Sequence, residues 1–132
     1  MRIIADTNIL LRAALGDDPS QSPQAVRLLE ESERVIVSRH AICEFVWVLG
    51  RSYKLPPTAI MAAITKLLRS ENVLADDSAL DAGFAAMESG ADFADGVIAY
   101  EGRWLGGETF VSFDRKAVSA IAQQGHPTRF LA

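Results

Sequence analysis

Asp6, Glu44, Asp92, Asp95 and Asp114 stand where carboxylates could do chemistry. Asp6 follows directly on the apolar run Arg2 to Ala5, and Asp114 comes two residues after a second such run, Thr109 to Ser112. Asp92 and Asp95 are three apart and would share one face at the start of a helix. Each has an ordinary explanation. Asp favours turns and caps after strands, and acids in a first helical turn are stabilised by the macrodipole. Glu44 is harder to explain this way, being the only charge from Ala41 to Gly50. At about 100° per residue, Ile42, Phe45, Val46 and Leu49 form a core face and Glu44 sits opposite, between Trp47 and Val48. A carboxylate on a helix apolar nearly all round must be paired, protonated or bound to metal. An ion pair with Arg39 or Arg51 is the structural alternative. Like charges brought close raise each other's pKa, so converging carboxylates are poor scaffolding. They are good hard-oxygen ligands for Mg²⁺ or Mn²⁺.

The elements that would position these acids can be read from local signals. Arg2 to Ala5, Arg34 to Val37, Val73 to Ala75 and Thr109 to Ser112 read as short strands, with Thr128 to Leu131 as a final edge strand. Helices are expected from Ser22-Pro23 to about Glu33, from Ser38 to about Tyr53, and from Thr58 to Ser70. Others run from Ser78 to Glu88, from Phe93 to Leu105 and from Arg115 to about Gln124, with glycines closing two of them. Gly16 to Pro23 and Leu55 to Thr58 read as loops. Strands alternating with helices imply an α/β fold with a mostly parallel sheet of four to five strands. In such sheets ligands bind outside the carboxyl ends of the strands, where these acids fall.

Composition sets the outer limits. With 132 residues, 49% hydrophobic and 23% charged, the chain has the size of one domain and enough apolar surface for a core without staples. Cys43 is the one cysteine, which excludes an intramolecular disulfide and a cysteine-rich zinc site and suits a reducing cytoplasm. The longest uncharged stretch, Ala117 to Thr128, is too short to span a membrane, and no signal-peptide pattern is visible. No phosphate-binding P-loop is present, which argues against an NTPase.

The ordered stretches Ile3-Ile4-Ala5-Asp6-Thr7-Asn8, Val37-Ser38 leading into Cys43-Glu44-Phe45, Asp92-Phe93-Ala94-Asp95 with Ile98-Ala99, and Phe110-Val111-Ser112-Phe113-Asp114 resemble the PIN-domain ribonucleases. Within that family they are most similar to the VapC-type toxins of prokaryotic toxin–antitoxin pairs. Ser112 stands where the family often has threonine, and Tyr100 where a second small residue is common. The resemblance implies one PIN domain over residues 1–132, with a Rossmann-like three-layer architecture. It implies a Mg²⁺- or Mn²⁺-dependent endoribonuclease whose metal-binding acids are Asp6, Glu44, Asp95 and Asp114. Asp92 would be an auxiliary acid, and Asn8 and Ser112 polar supports in the pocket. It also implies an RNA substrate, a VapB-type antitoxin that presents Arg or Lys to the pocket, and a cytoplasmic location. A homodimer is expected from the apolar helices around Trp47 and from Ile60 to Leu68.

The net charge of −4 looks wrong for a nucleic-acid binder. Setting the four nominated ligands aside, however, leaves 13 acids against 13 Lys and Arg. Phosphate attraction would then come mainly from the metal, with local help from bases such as Arg12, Arg39, Arg51, Lys54, Arg115 and Lys116. His126 reads as a loop residue, His40 as a helix residue outside the acidic set, and Cys43 as core. A receiver domain is the rival from signalling, but it wants an Asp near the end of a middle strand, and none lies between Asp18 and Asp76. A second rival is a catalytically weak PIN-like module acting mainly by protein binding, which loss of one of the four acids would favour; all four are present.

Overall fold

A computed structural model describes all residues, Met1–Ala132, as two compact units, Met1–Asp76 and Asp77–Ala132. The first contains β1 (Arg2–Ile4), α1 (Thr7–Leu15), α2 (Gln21–Glu31), β2 (Arg34–Ile36), α3 (Arg39–Arg51), α4 (Pro57–Leu68) and β3 (Val73–Leu74). Its strands form a parallel sheet in the order β1-β2-β3, with Ile3 opposite Val35 and Val35 opposite Val73. Parallel neighbours require crossover connections, which the helices supply. Val35 on the central strand is fully buried, as are Phe45, Leu49 and Ile64 on the helices. The apolar face expected for α3 is therefore the one it buries.

The second unit contains α5 (Asp77–Glu88), α6 (Phe93–Trp104), β4 (Phe110–Ser112), α7 (Arg115–Gln123) and β5 (Thr128–Phe130). β4 and β5 pair in parallel, with Val111 opposite Arg129, and α7 makes the crossover. Phe93 is buried at the start of α6, with Phe84 meeting it edge-on at 5.7 Å between ring centroids. All five expected strands form and all pair in parallel, but as a ladder of three and a ladder of two. No helix is long and apolar enough to cross a membrane.

Two elements differ from the sequence expectation. α1 occupies residues for which no helix is expected. Asp6 caps its start, accepting from the Thr7 N–H at 2.9 Å, and Gly16 ends it at φ 61°, a left-handed position that glycine takes at no steric cost. The other difference is the entry to α2, where Ser22 is not the cap. The Asp18 carboxylate accepts from the N–H groups of Ser20 and Gln21 at 2.9 and 2.6 Å, and the Ser22 N–H already bonds the Asp18 carbonyl. Asp18 thus supplies the side-chain acceptor for the turn through Pro19 and Ser20 that leads into α2. The buried Ser22 hydroxyl closes the turn by accepting from the Asp18 N–H.

Those backbone bonds hold the Asp18 carboxyl below the usual carboxylate range, Gln21 contributing most and Ser20 next. A depressed folded pKa gives stability that is present above the unfolded value near 3.9 and is lost as pH falls through the folded value. Asp18→Ala is expected to lower the melting temperature at pH 7 by roughly 3–8 °C. The gap to the parent should narrow as pH falls below the unfolded value and through the folded one. Thermal melts of both proteins across that range check it, and a gap independent of pH would assign the loss to packing instead.

Candidate metal centre

In the first unit, Asp6 and Glu44 are joined through one residue. Asp6 leaves β1 in an extended conformation (φ −74°, ψ 156°) and caps α1. Glu44 lies on α3, a helix started by the Ser38 hydroxyl, which accepts from the Ala41 N–H at 3.1 Å. Thr7 touches both acids. Its N–H donates to Asp6 Oδ1, and its hydroxyl donates to Glu44 Oε2 at 3.3 Å. The other Glu44 oxygen, Oε1, meets His40 Nε2 one helical turn earlier. His40 therefore belongs beside the acids and not outside them; its i,i+4 spacing from Glu44 was the available signal. Neither Arg39 nor Arg51 takes the place of Glu44's partner. Arg39 pairs with Asp76 at 3.4 Å, and the Arg51 guanidinium lies over the Trp47 ring at 5.9 Å. The outer face of α3 is open to solvent, with the Glu44 side chain 51% exposed. Asn8 is exposed on α1 and lines a cleft with Arg12, Gln21 and Gln24.

In the second unit, Asp92, Asp95 and Asp114 stand at two helix starts. Asp92 caps α6, and Asp95 takes the third helical position, its carboxylate accepting from the Asp92 N–H at 3.3 Å. This is the carboxylate half of a capping box. Asp114 caps α7, with Oδ1 accepting from the N–H groups of Lys116 and Ala117 at 2.9 and 3.3 Å. Ser112, the last residue of β4, accepts from the Asp114 N–H at 2.9 Å and so fixes the turn that presents the acid.

Asp6 and Asp114 therefore act as helix caps through one carboxylate oxygen each, and Asp92 holds the cap position of α6. Asp95 shows the electrostatic consequence. Burial pushes its carboxyl pKa up, the Asp92 N–H pulls it down, and the neighbouring charges of Asp92 and Asp114 push it up again. No Lys or Arg contributes to this shift. Arg115, next to Asp114, is stacked over the Phe130 ring at 4.3 Å. No three His, Cys, Asp or Glu side chains are gathered into a group able to hold a metal ion. Carboxylate oxygen, the donor type these acids offer, is the kind a hard divalent cation takes.

Comparison with known proteins adds a family. The family model described as the PIN domain matches residues 3–122. Among solved structures, Mycobacterium tuberculosis VapC20, described as a Sarcin-Ricin loop cleaving toxin, is similar at 20% sequence identity and a TM-score of 0.44. That similarity covers 93% of this chain and 95% of the other. The comparison with curated proteins gives no match.

Proposed function

The chain belongs to the PIN domain family, and from that premise we propose that it is a metal-dependent endoribonuclease, the toxin of a VapBC-type toxin–antitoxin module. Residues 1–132 act as one PIN domain, in which Asp6 and Glu44 from the first unit and Asp95 and Asp114 from the second hold Mg²⁺ or Mn²⁺. The observation that carries the reading is the placing of Asp92, Asp95 and Asp114 at two helix starts of one unit, close enough for Asp92 and Asp114 to raise the pKa of the part-buried Asp95 carboxyl. A protein without use for a cation would be expected to relieve such a cluster with a Lys or Arg.

When bound, the ion polarises a phosphoryl oxygen and lowers the pKa of a water that serves as nucleophile. The chain's own part is placement. Asp6 and Asp114 are fixed by the N–H groups they cap, Asp95 by the Asp92 N–H and Glu44 by Thr7. Ser112 steadies the Asp114 turn. No serine, cysteine or histidine nucleophile is required, and hydrolysis by water leaves the chain unmodified. Of the bases nominated for phosphate contact, Lys54 and Lys116 are left without a carboxylate partner or an aromatic ring, and Arg51 lies over Trp47. The partners in this reading are an RNA substrate, a VapB-type antitoxin whose Arg or Lys would match the exposed carboxylates, and a second copy of the chain. The location is the cytoplasm.

The test is cleavage of total RNA by the purified chain. We expect Mn²⁺ or Mg²⁺ to be required and excess EDTA to abolish cleavage. Cleavage that survives EDTA would remove the metal from the mechanism. RNA left intact at every metal concentration, with the antitoxin absent, would favour the protein-binding module.

A further inference from the structure

Three polar side chains are buried in this protein, those of Thr7, Ser22 and Ser32. A buried hydroxyl needs a hydrogen-bond partner, and the serines find theirs locally. Ser22 accepts from the Asp18 N–H four residues back, and Ser32 donates to the Leu28 carbonyl at 2.6 Å. Thr7 does otherwise. Helical threonines commonly bond a carbonyl one turn earlier, but Thr7 is the first residue of α1 and has no such turn behind it. Its hydroxyl reaches instead across 37 positions of sequence to Glu44 Oε2 on α3. Its N–H meanwhile serves Asp6. One buried residue thus donates to two carboxylates, N–H to one and O–H to the other.

We propose that Thr7 is a positioning residue of the metal site, its buried hydroxyl fixing the Glu44 carboxylate in register with Asp6. This rests on the reading of Asp6 and Glu44 as metal ligands. Glu44 is half exposed on a long side chain, so without a donor it would sample several rotamers and lose that freedom on binding a cation. A donor anchored in the core lowers that cost beforehand on Oε2, while Oε1 meets the exposed His40. Thr7 does not touch the substrate or the ion in this arrangement; it acts through Glu44.

Thr7→Val keeps the shape and removes the hydroxyl, and Thr7→Ser restores it. Two measurements apply. The first is a double-mutant cycle of metal-free melting temperatures with Thr7→Val and Glu44→Ala, which should be non-additive because the two side chains touch. The second is the Mn²⁺ concentration that gives half the maximal thermal stabilisation. We expect it to rise about 10–100-fold in Thr7→Val, the usual effect of removing a group that orients a ligand. Thr7→Ser should stay close to the parent. If Thr7→Val does not fold, Thr7→Ala is read in the same way. A merely structural threonine would lower the metal-free melting temperature and leave the Mn²⁺ midpoint in place, which overturns the proposal, as does an additive cycle. A parent that shows no Mn²⁺ response at all overturns the metal-dependent reading and this proposal with it, whereas a responsive parent matched by Thr7→Val overturns the positioning role alone.

Discussion

Asp95→Asn is expected to reduce RNA cleavage by at least about 10²-fold, more than the loss of an orienting group would give. It should also leave the metal-free protein as stable as the parent, or more so. The two effects have one cause. Burial and the charges of Asp92 and Asp114 raise the Asp95 pKa in the folded state. A raised carboxyl pKa penalises the ionised form, so the folded protein loses stability as pH climbs from the unfolded value through the folded one. Asn is neutral at every pH and keeps an oxygen to accept from the Asp92 N–H, so the half capping box survives while the repulsion goes. The parent should gain about 2.7 kcal/mol from Mn²⁺ at a hundred times its dissociation constant, and the variant should lose most of that gain. Melts of both proteins at pH 7, with and without Mn²⁺, measure the two stability effects, and the RNA assay measures the loss of cleavage. A variant that melts clearly lower without metal yet gains as much from Mn²⁺ would return Asp95 to the scaffold.

The largest effect on stability is expected at Gly96, the residue after Asp95. A Cβ built there would lie 2.1 Å from the Ala82 carbonyl oxygen, 2.7 Å from its carbon and 2.9 Å from Ala86 Cβ. Two of these are backbone atoms of α5 and cannot rotate away. Gly to Ala in a helix ordinarily gains up to about 1 kcal/mol from propensity. Overpacking typically costs about 1–3 kcal/mol, and a clash with backbone belongs at or beyond the upper end. The clash therefore outweighs the propensity, and Gly96→Ala should be destabilising by about 2 kcal/mol or more. The control is in the same helix: Gly102 has nothing within 4 Å of such a Cβ. Gly102→Ala should stabilise by about 0.4–1 kcal/mol. Denaturant titrations of the two variants check the sign as well as the size. If both shift the same way, the close crossing of α5 and α6 does not set the stability of this unit. Gly96→Ala should also reduce cleavage, because α6 cannot move off α5 without carrying Asp95 with it.

Much of this fold follows from local sequence signals. The strand runs, the Ser38 cap of α3 and the apolar face through Ile42, Phe45 and Leu49 are all written in patterns of a few residues, and the structure agrees with each. α1 was legible in principle, since Asp6 as cap, an apolar periodic run and Gly16 as stop form a complete helix signal. Asp6 was instead assigned to the site, although it serves as cap too. The start of α2 was obscured in a similar way, because the Pro19 and Pro23 turns compete and only the hydrogen bonds of Asp18 decide between them. The division of the five strands into ladders of three and two depends on pairing between distant segments, which no local pattern specifies.

Asp6, Asp95 and Asp114 stand out in the sequence because each sits beside a strand end or a helix start, and Glu44 because it is the one charge from Ala41 to Gly50 on an apolar helix. Their support does not. Thr7 reaches Glu44 across 37 positions, and no spacing rule links a threonine after one strand to a glutamate in a later helix. The raised Asp95 pKa likewise depends on Asp114, nineteen residues away. His40 is the exception, being placed by simple helical spacing from Glu44.

The most direct test is Mn²⁺ binding to the parent, to Asp6→Asn and to Asp95→Asn, followed by calorimetry. If acids from both units form a single metal site, each substitution alone should weaken binding by at least about tenfold. The loss should appear whichever unit carries the change. Parent-like affinity in either variant would mean that one unit binds the ion without the other, and would contradict a shared site of Asp6, Glu44, Asp95 and Asp114.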